Sequence, residues 1–249
     1  MIKEPSQTYK GTCVEVKDLT ASLKAQMLAL FKANYQNVDT EHFWNDLAQK
    51  SHVILVYDPD GQFRGFSTAV VWRYQFENKP VRLLFSGDTI VDPAAWGHMA
   101  LPITWMRFAG TIWSMEPQTR LFWLLTSKGH RTYRFMSLFF ENFLPHWEKD
   151  DRECEDHLLA KSIGNHYFTE HFEPDTELIT YAGTKYTVNS KLAKIPAKDV
   201  NRPDVSYFLS RNKNYMLGDE LLCLGELHAN NIRLGLRRYF ISGLDKTSP

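Results

Sequence analysis

A mixed α/β fold (of the α+β kind) on a mostly antiparallel sheet is predicted by three observations. Three strand-like runs, residues 52–57, 63–76 and 81–91, are separated only by turn signals, which makes an antiparallel meander. An apolar helical stretch, 98–114, separates the third run from another apolar strand, 121–126, and one crossover helix lets those two strands lie parallel. Helical periodicity precedes the meander and resumes after residue 130.

Taken in order, Cys13–Val16 is a short strand. In residues 18–34, Leu19, Leu23, Met27, Leu30 and Phe31 recur at helical spacing. Residues 40–50 are a second helix, with Thr40 as N-cap and Phe43, Trp44 and Leu47 on one face. Strand 52–57 ends at Asp58-Pro59-Asp60-Gly61, where proline presets φ and glycine accepts φ > 0. The turn 77–80 joins the second and third strands. Helix 131–144 carries Tyr133, Phe135, Met136, Phe139, Phe140 and Phe143 and stops before Pro145. Beyond it lie a charged run, 148–156, read as a solvated face, a helix over 158–171, and strand-like alternation over 176–188. A polar excursion, 191–204, a strand at 205–209 and a helix over 217–240 complete the chain.

Residues 81–100 hold the most informative segment. Leu83, Leu84, Phe85, Ile90 and Val91 suit a buried strand, and Pro93 stops it. The loop Ala94-Ala95-Trp96-Gly97-His98-Met99-Ala100 then feeds a helix. A small-residue loop at a helix N-terminus presents backbone N–H groups to a phosphate. This strand–loop–helix resembles the acyl-CoA-binding core of the GNAT superfamily, the Gcn5-related N-acyltransferases. There a strand ends in a Val-x-Pro-like element, matched by Val91-Asp92-Pro93, before a loop of pattern Arg/Gln-x-x-Gly-x-Gly/Ala. Gly97 matches a glycine of that loop, the basic or amide residue is absent, and the second small residue falls one place late. The resemblance covers about residues 50–150.

The resemblance implies a single GNAT-like domain over 1–249, with its core at about 10–147 and a C-terminal extension at about 148–249. Its central sheet is mixed and mostly antiparallel, with a splayed parallel pair, 81–91 and 121–126, flanked by helices. It further implies N-acyl transfer, possible for a fatty acyl group, from acyl-CoA or an acyl carrier protein to a small amine or a peptide. The donor would lie in the gap, touching Ile90, Val91, Trp96, Gly97, His98, Met99 and Ala100, with Ser127, Lys128 and Arg131 at the facing strand end. Asp88 would take the amine proton, Tyr133 would protonate the departing thiolate, and His130 would assist. The aromatic load of 98–114, 121–126 and 131–144 would line an acyl-chain tunnel or simply fill the core. A non-catalytic acyl-CoA- or peptide-binding module of the same fold, and an unrelated interaction protein, are the rival readings.

Composition sets bounds. The chain has 249 residues and is 43% hydrophobic, enough for a sizeable core, and its formal charge of zero argues against a nucleic-acid partner. Cys13, Cys154 and Cys223 are odd in number and widely spaced, which suits a reducing compartment. No zinc-type spacing and no G-x-S-x-G elbow occurs, so neither a metal nor a hydrolase nucleophile is expected. Neither an apolar leader nor a run of 18 apolar residues is present, and a cytoplasmic location is the expectation.

Overall fold

The computed structural model describes residues 8–149, 152–181, 186–189 and 193–244. Its first part runs β1 (Lys10–Glu15), α1 (Ala21–Asn34), the short β2 (Tyr35–Gln36), α2 (Thr40–Ala48), β3 (His52–Tyr57), β4 (Phe63–Phe76) and β5 (Lys79–Val91). Then come α3 (Ala100–Met115), β6 (Leu121–Ser127) and α4 (His130–Phe139). The C-terminal part holds α5 (Glu155–Tyr167), the short β7 (Phe172–Glu173), β8 (Leu178–Ile179) and β9 (Thr187–Val188), then α6 (Pro203–Arg211), β10 (Glu220–Glu226) and α7 (Leu234–Leu244). Eight strands form one sheet in the order β1-β3-β4-β5-β6-β10-β8-β7, and β2 pairs separately with β9.

The meander forms as its turns dictate. Glu77 and Asn78 both take positive φ, 48° and 62°, the twist that suits a tight hairpin. Lys79 and Pro80 already belong to β5. The parallel pair is β5 with β6, in register from Arg82↔Leu121 to Ser86↔Leu125. Past Ser86, β5 continues against β4 alone, while β6 continues against β10. The two strands therefore part at their C-terminal ends, as the resemblance implies.

Both faces of the sheet are covered, which is why β6 is apolar from Leu121 to Leu125. Leu121, Trp123 and Leu125 pack with α3, α4 and α7, and Phe122 and Leu124 pack toward α5. The helices α1 and α2 cover the β3–β4 end through Met27, Phe31, Phe43 and Leu47. Trp123 stacks on Trp105 at 4.9 Å and on Phe139 at 4.5 Å, and all three are at most 2% exposed. This aromatic group fills the core. Arg82 fixes the C-terminal end of α3: its guanidinium, 3% exposed, donates to the carbonyls of Ile112 (2.8 Å), Glu116 (2.7 Å) and Thr119 (3.1 Å).

Several predicted elements differ. Asp39, not Thr40, caps α2, its Oδ1 accepting from Glu41 N–H at 2.9 Å. Helix 131–144 stops at Phe139, because Phe140 and Leu144 leave it to bridge Ile232 and Leu224. The helix expected over 158–171 begins at Glu155, inside the charged run, and gives way to a short 3-10 turn at 169–171. The strand at 205–209 is instead α6, started by Pro203 in its first turn. The helix over 217–240 divides into β10, whose residues through Gly225 are all buried, and α7. Of the strand-like stretch 176–188, the described residues form β8 and β9. Residues 182–185, 190–192 and 150–151, on which parts of these expectations fall, lie outside the described residues.

Candidate active site

The site begins with a bulge. Ser67 pairs with Thr89 and Ala69 with Ser86, so Gly87 and Asp88 together face Thr68 alone. A bulge of this kind turns side chains away from the regular alternation. Gly87 is needed there because a Cβ would come within 2.5 Å of Thr68 Oγ1 and 2.7 Å of the Lys50 stem. Asp88 is set where β5 and β6 part. Its Oδ1 accepts a hydrogen bond from the Tyr186 hydroxyl at 2.7 Å.

Around it lies a small polar cavity of about 70 Å³, whose walls include Tyr35, Asp46, Asp88, Lys128, Tyr186 and Glu220. Lys128 Nζ pairs with Glu220 Oε1 at 3.2 Å, both side chains under 10% exposed. The same ammonium sits 3.4 Å from the Tyr186 ring centre and 5.7 Å from that of Tyr35. Burial, then the Asp88 and Glu220 charges, pushes both tyrosine hydroxyls far above their ordinary range, so both stay neutral hydrogen-bond donors.

Beside this cavity opens a cleft of about 730 Å³ between the ends of β5 and β6, the loop before α3, and α4. Tyr35, Thr89, Lys128 and Thr132 wall both. The cleft gathers Ile90, Val91, Trp96, Gly97, His98, Met99, His130 and Arg131 from the expected set. Gly97 has φ +86°, a conformation side chains disfavour, and a Cβ there would meet nothing within 4 Å. The Trp96 indole donates to Val91 carbonyl at 2.9 Å, pinning the loop to the strand end, and Arg131 lies 4.3 Å from the Trp96 ring. His98 stacks on Tyr9 at 3.8 Å. Ala100 opens α3, and its carbonyl accepts from Thr104 Oγ1.

Two expected residues take other places, and a third, His130, stands at the cleft but buried. Tyr133 is fully buried and donates to Pro145 carbonyl at 2.7 Å. It walls neither cavity, so the role of proton donor to a thiolate is corrected to a core hydrogen bond. Ser127 is fully buried, its hydroxyl spent on Gly129 carbonyl at 2.9 Å. His130 walls the cleft but is 2% exposed, and burial pushes its imidazole down to about 4, leaving it a weak proton acceptor. Lys128, placed at the strand end as expected, carries its ammonium into the polar cavity, to Glu220. Tyr35, Tyr186 and Glu220 carry no local signal in the sequence. Among the described residues no cluster of three His, Cys, Asp or Glu is placed to hold a metal, and no helix is long and apolar enough to cross a membrane.

A mixed, mostly antiparallel sheet with a single parallel pair that diverges is consistent with the GNAT fold that the sequence resembles. No family model and no curated protein matches the chain. Among solved structures it is similar to a probable N-acyltransferase of unknown function from Enterococcus faecalis V583 (TM-score 0.41, 13% identity, 54% of this chain and 33% of that one). It is also similar to a GNAT family N-acetyltransferase from Escherichia coli in complex with CoA (0.38, 12%, 55% and 71%). A third is an aminoglycoside acetyltransferase from an uncultured soil metagenomic sample in complex with trehalose (0.35, 18%, 50% and 80%). The chain thus spans a third of the first of these proteins. At such scores the likenesses are distant, and the fold rests on the chain's own topology.

Proposed function

We propose that this chain is an N-acyltransferase that moves an acyl group from acyl-CoA to an amine. The observation that carries the reading is the opening of the parallel pair into a cleft that meets, at Lys128 and Thr89, a polar cavity holding Asp88. The donor arm would run along the edge of β5 beyond Ser86, where β6 has left it. Every second residue of a strand paired on one side turns its N–H and C=O to the other, and such N–H groups would hold the oxyanion. The diphosphate would lie at Gly97 and the first turn of α3, with Arg131 nearby. Asp88 would take the proton from the attacking amine, oriented by the Tyr186 hydroxyl, and that proton would pass to the leaving thiolate. An acyl group lodged in the cavity at the divergence, about 70 Å³, would be short.

Calorimetry with CoA and acetyl-CoA, followed by thiol release on adding primary amines, tests this. Both ligands are expected to bind. Asp88→Asn should leave donor affinity unchanged and lower kcat by roughly 10²–10⁴. Absence of CoA binding would sink the reading. A second reading is favoured by one observation, the engagement of Asp88 by Tyr186: a module that binds acyl-CoA without turnover. It predicts binding with no thiol release for any amine.

A further inference from the structure

We propose that Lys128 is itself an acceptor, so that the chain acylates its own Lys128 side chain. The inference rests on the acyltransferase reading above. An amine acceptor needs an ammonium-binding place beside the thioester, with a carboxylate to take its proton. The cavity at the divergence of β5 and β6 is such a place: two aromatic faces and paired carboxylates are the usual cradle for an alkylammonium. It already holds one. Lys128 Nζ lies 3.4 Å from the Tyr186 ring centre and 3.2 Å from Glu220 Oε1, and Asp88 is held on the same tyrosine by its hydroxyl.

Lys128 follows directly on β6 and walls both the donor cleft and the polar cavity. Its flexible four-carbon stem lets the nitrogen move from the cage toward the cleft without any backbone change. The step balances with the thioester as sole co-reactant. The ammonium gives one proton to Asp88 or Glu220, and the neutral nitrogen attacks the thioester carbonyl. The C–N bond forms and the C–S bond breaks. The nitrogen sheds a second proton to the thiolate as the amide is made, and nothing is oxidised or reduced. Glu220, with its side chain 6% exposed, then loses its cation.

The full chain is incubated with acetyl-CoA, its mass is followed, and the modified lysines are mapped by peptide. The same chain unfolded in urea is the chemical control. One acetyl group per chain is expected on Lys128, ahead of the exposed Lys32 and Lys213, the reverse of the order that exposure alone gives. That preference should vanish in urea, and in Asp88→Asn the rate at Lys128 should fall at least about tenfold. If acetyl-CoA binds and added amines are turned over while Lys128 stays unmodified, the inference is overturned and the acyltransferase reading stands. Modification of Lys128 no faster than of the exposed lysines also overturns it. If acetyl-CoA does not bind, the reading and the inference fall together.

Discussion

Burial decides what each side chain in this molecule can do. Tyr133 and Tyr186 are both tyrosines with hydroxyls pushed far up by burial, yet only Tyr186 reaches the cleft region, through Asp88. Tyr133→Phe removes the bond to Pro145 carbonyl and leaves that acceptor buried. It should cost about 1–2 kcal/mol in urea unfolding and leave turnover at the wild-type level. A large loss of kcat at unchanged stability would return Tyr133 to the chemistry. His130 provides a second check. The unfolded imidazole takes its proton near its ordinary 6.5, and the folded one only near 4. Between those values the unfolded chain binds more protons, so the His130 contribution is complete above about pH 6.5 and is lost as pH falls toward 4. The shift corresponds to about 3 kcal/mol. The stability difference between wild type and His130→Gln, measured by urea unfolding, should therefore shift by that order between pH 7 and pH 4.5, against wild type at the lower pH.

At the scale of elements, the bulge in β5 connects sheet geometry to the site. A regular β5 would keep Asp88 in simple alternation with its neighbours; the extra residue re-aims it. Gly87→Ala puts a methyl into Thr68 and the Lys50 stem. Overpacking of this kind costs about 1–3 kcal/mol, and the strand must shift to relieve it. Thermal unfolding should show the loss, and kcat should fall while CoA affinity, set further along at Gly97, stays within about threefold. Equal loss of CoA affinity would mean that the bulge holds the donor cleft rather than Asp88. The α3–β5 junction is fixed differently, by a buried arginine on carbonyls at the end of the helix. Arg82→Lys removes the forked donors and should destabilise the protein by about 3 kcal/mol.

The whole molecule is tied together through its C-terminal part. β10 lies between β6 and β8, and α7 packs on α3, with Thr111 Oγ1 donating to Gly243 carbonyl at 3.0 Å. Residues 148–249 thus supply an interior strand and a core helix. A fragment ending at residue 147 exposes the apolar edge of β6 and the face of Trp113 toward Phe240. It should be insoluble or lack cooperative unfolding, whereas the full chain should melt in one transition. A soluble, cooperatively folding fragment would show that the first part is a core in its own right.

The sequence by itself determined what local chemistry can settle. The turns at 58–61 and 77–80, the alternation of the meander, the apolar crossover helix and the small-residue loop at Gly97 all act within a few residues of one another. The parallel pairing of β5 and β6 followed from their order, and its divergence from the resemblance. Tertiary structure decided the rest. LLCLGE is a short apolar run that periodicity reads equally well as helix or strand, and only the vacancy beside β6 made it β10. Val205–Leu209 was equally short, and packing of Phe208 against Tyr133 made it part of a helix. The cage around Lys128 joins residues from opposite ends of the chain, with Asp88 and Tyr186 98 positions apart. No local pattern encodes such a meeting; it arises because the sheet brings distant strands edge to edge and burial forces their polar groups to find one another.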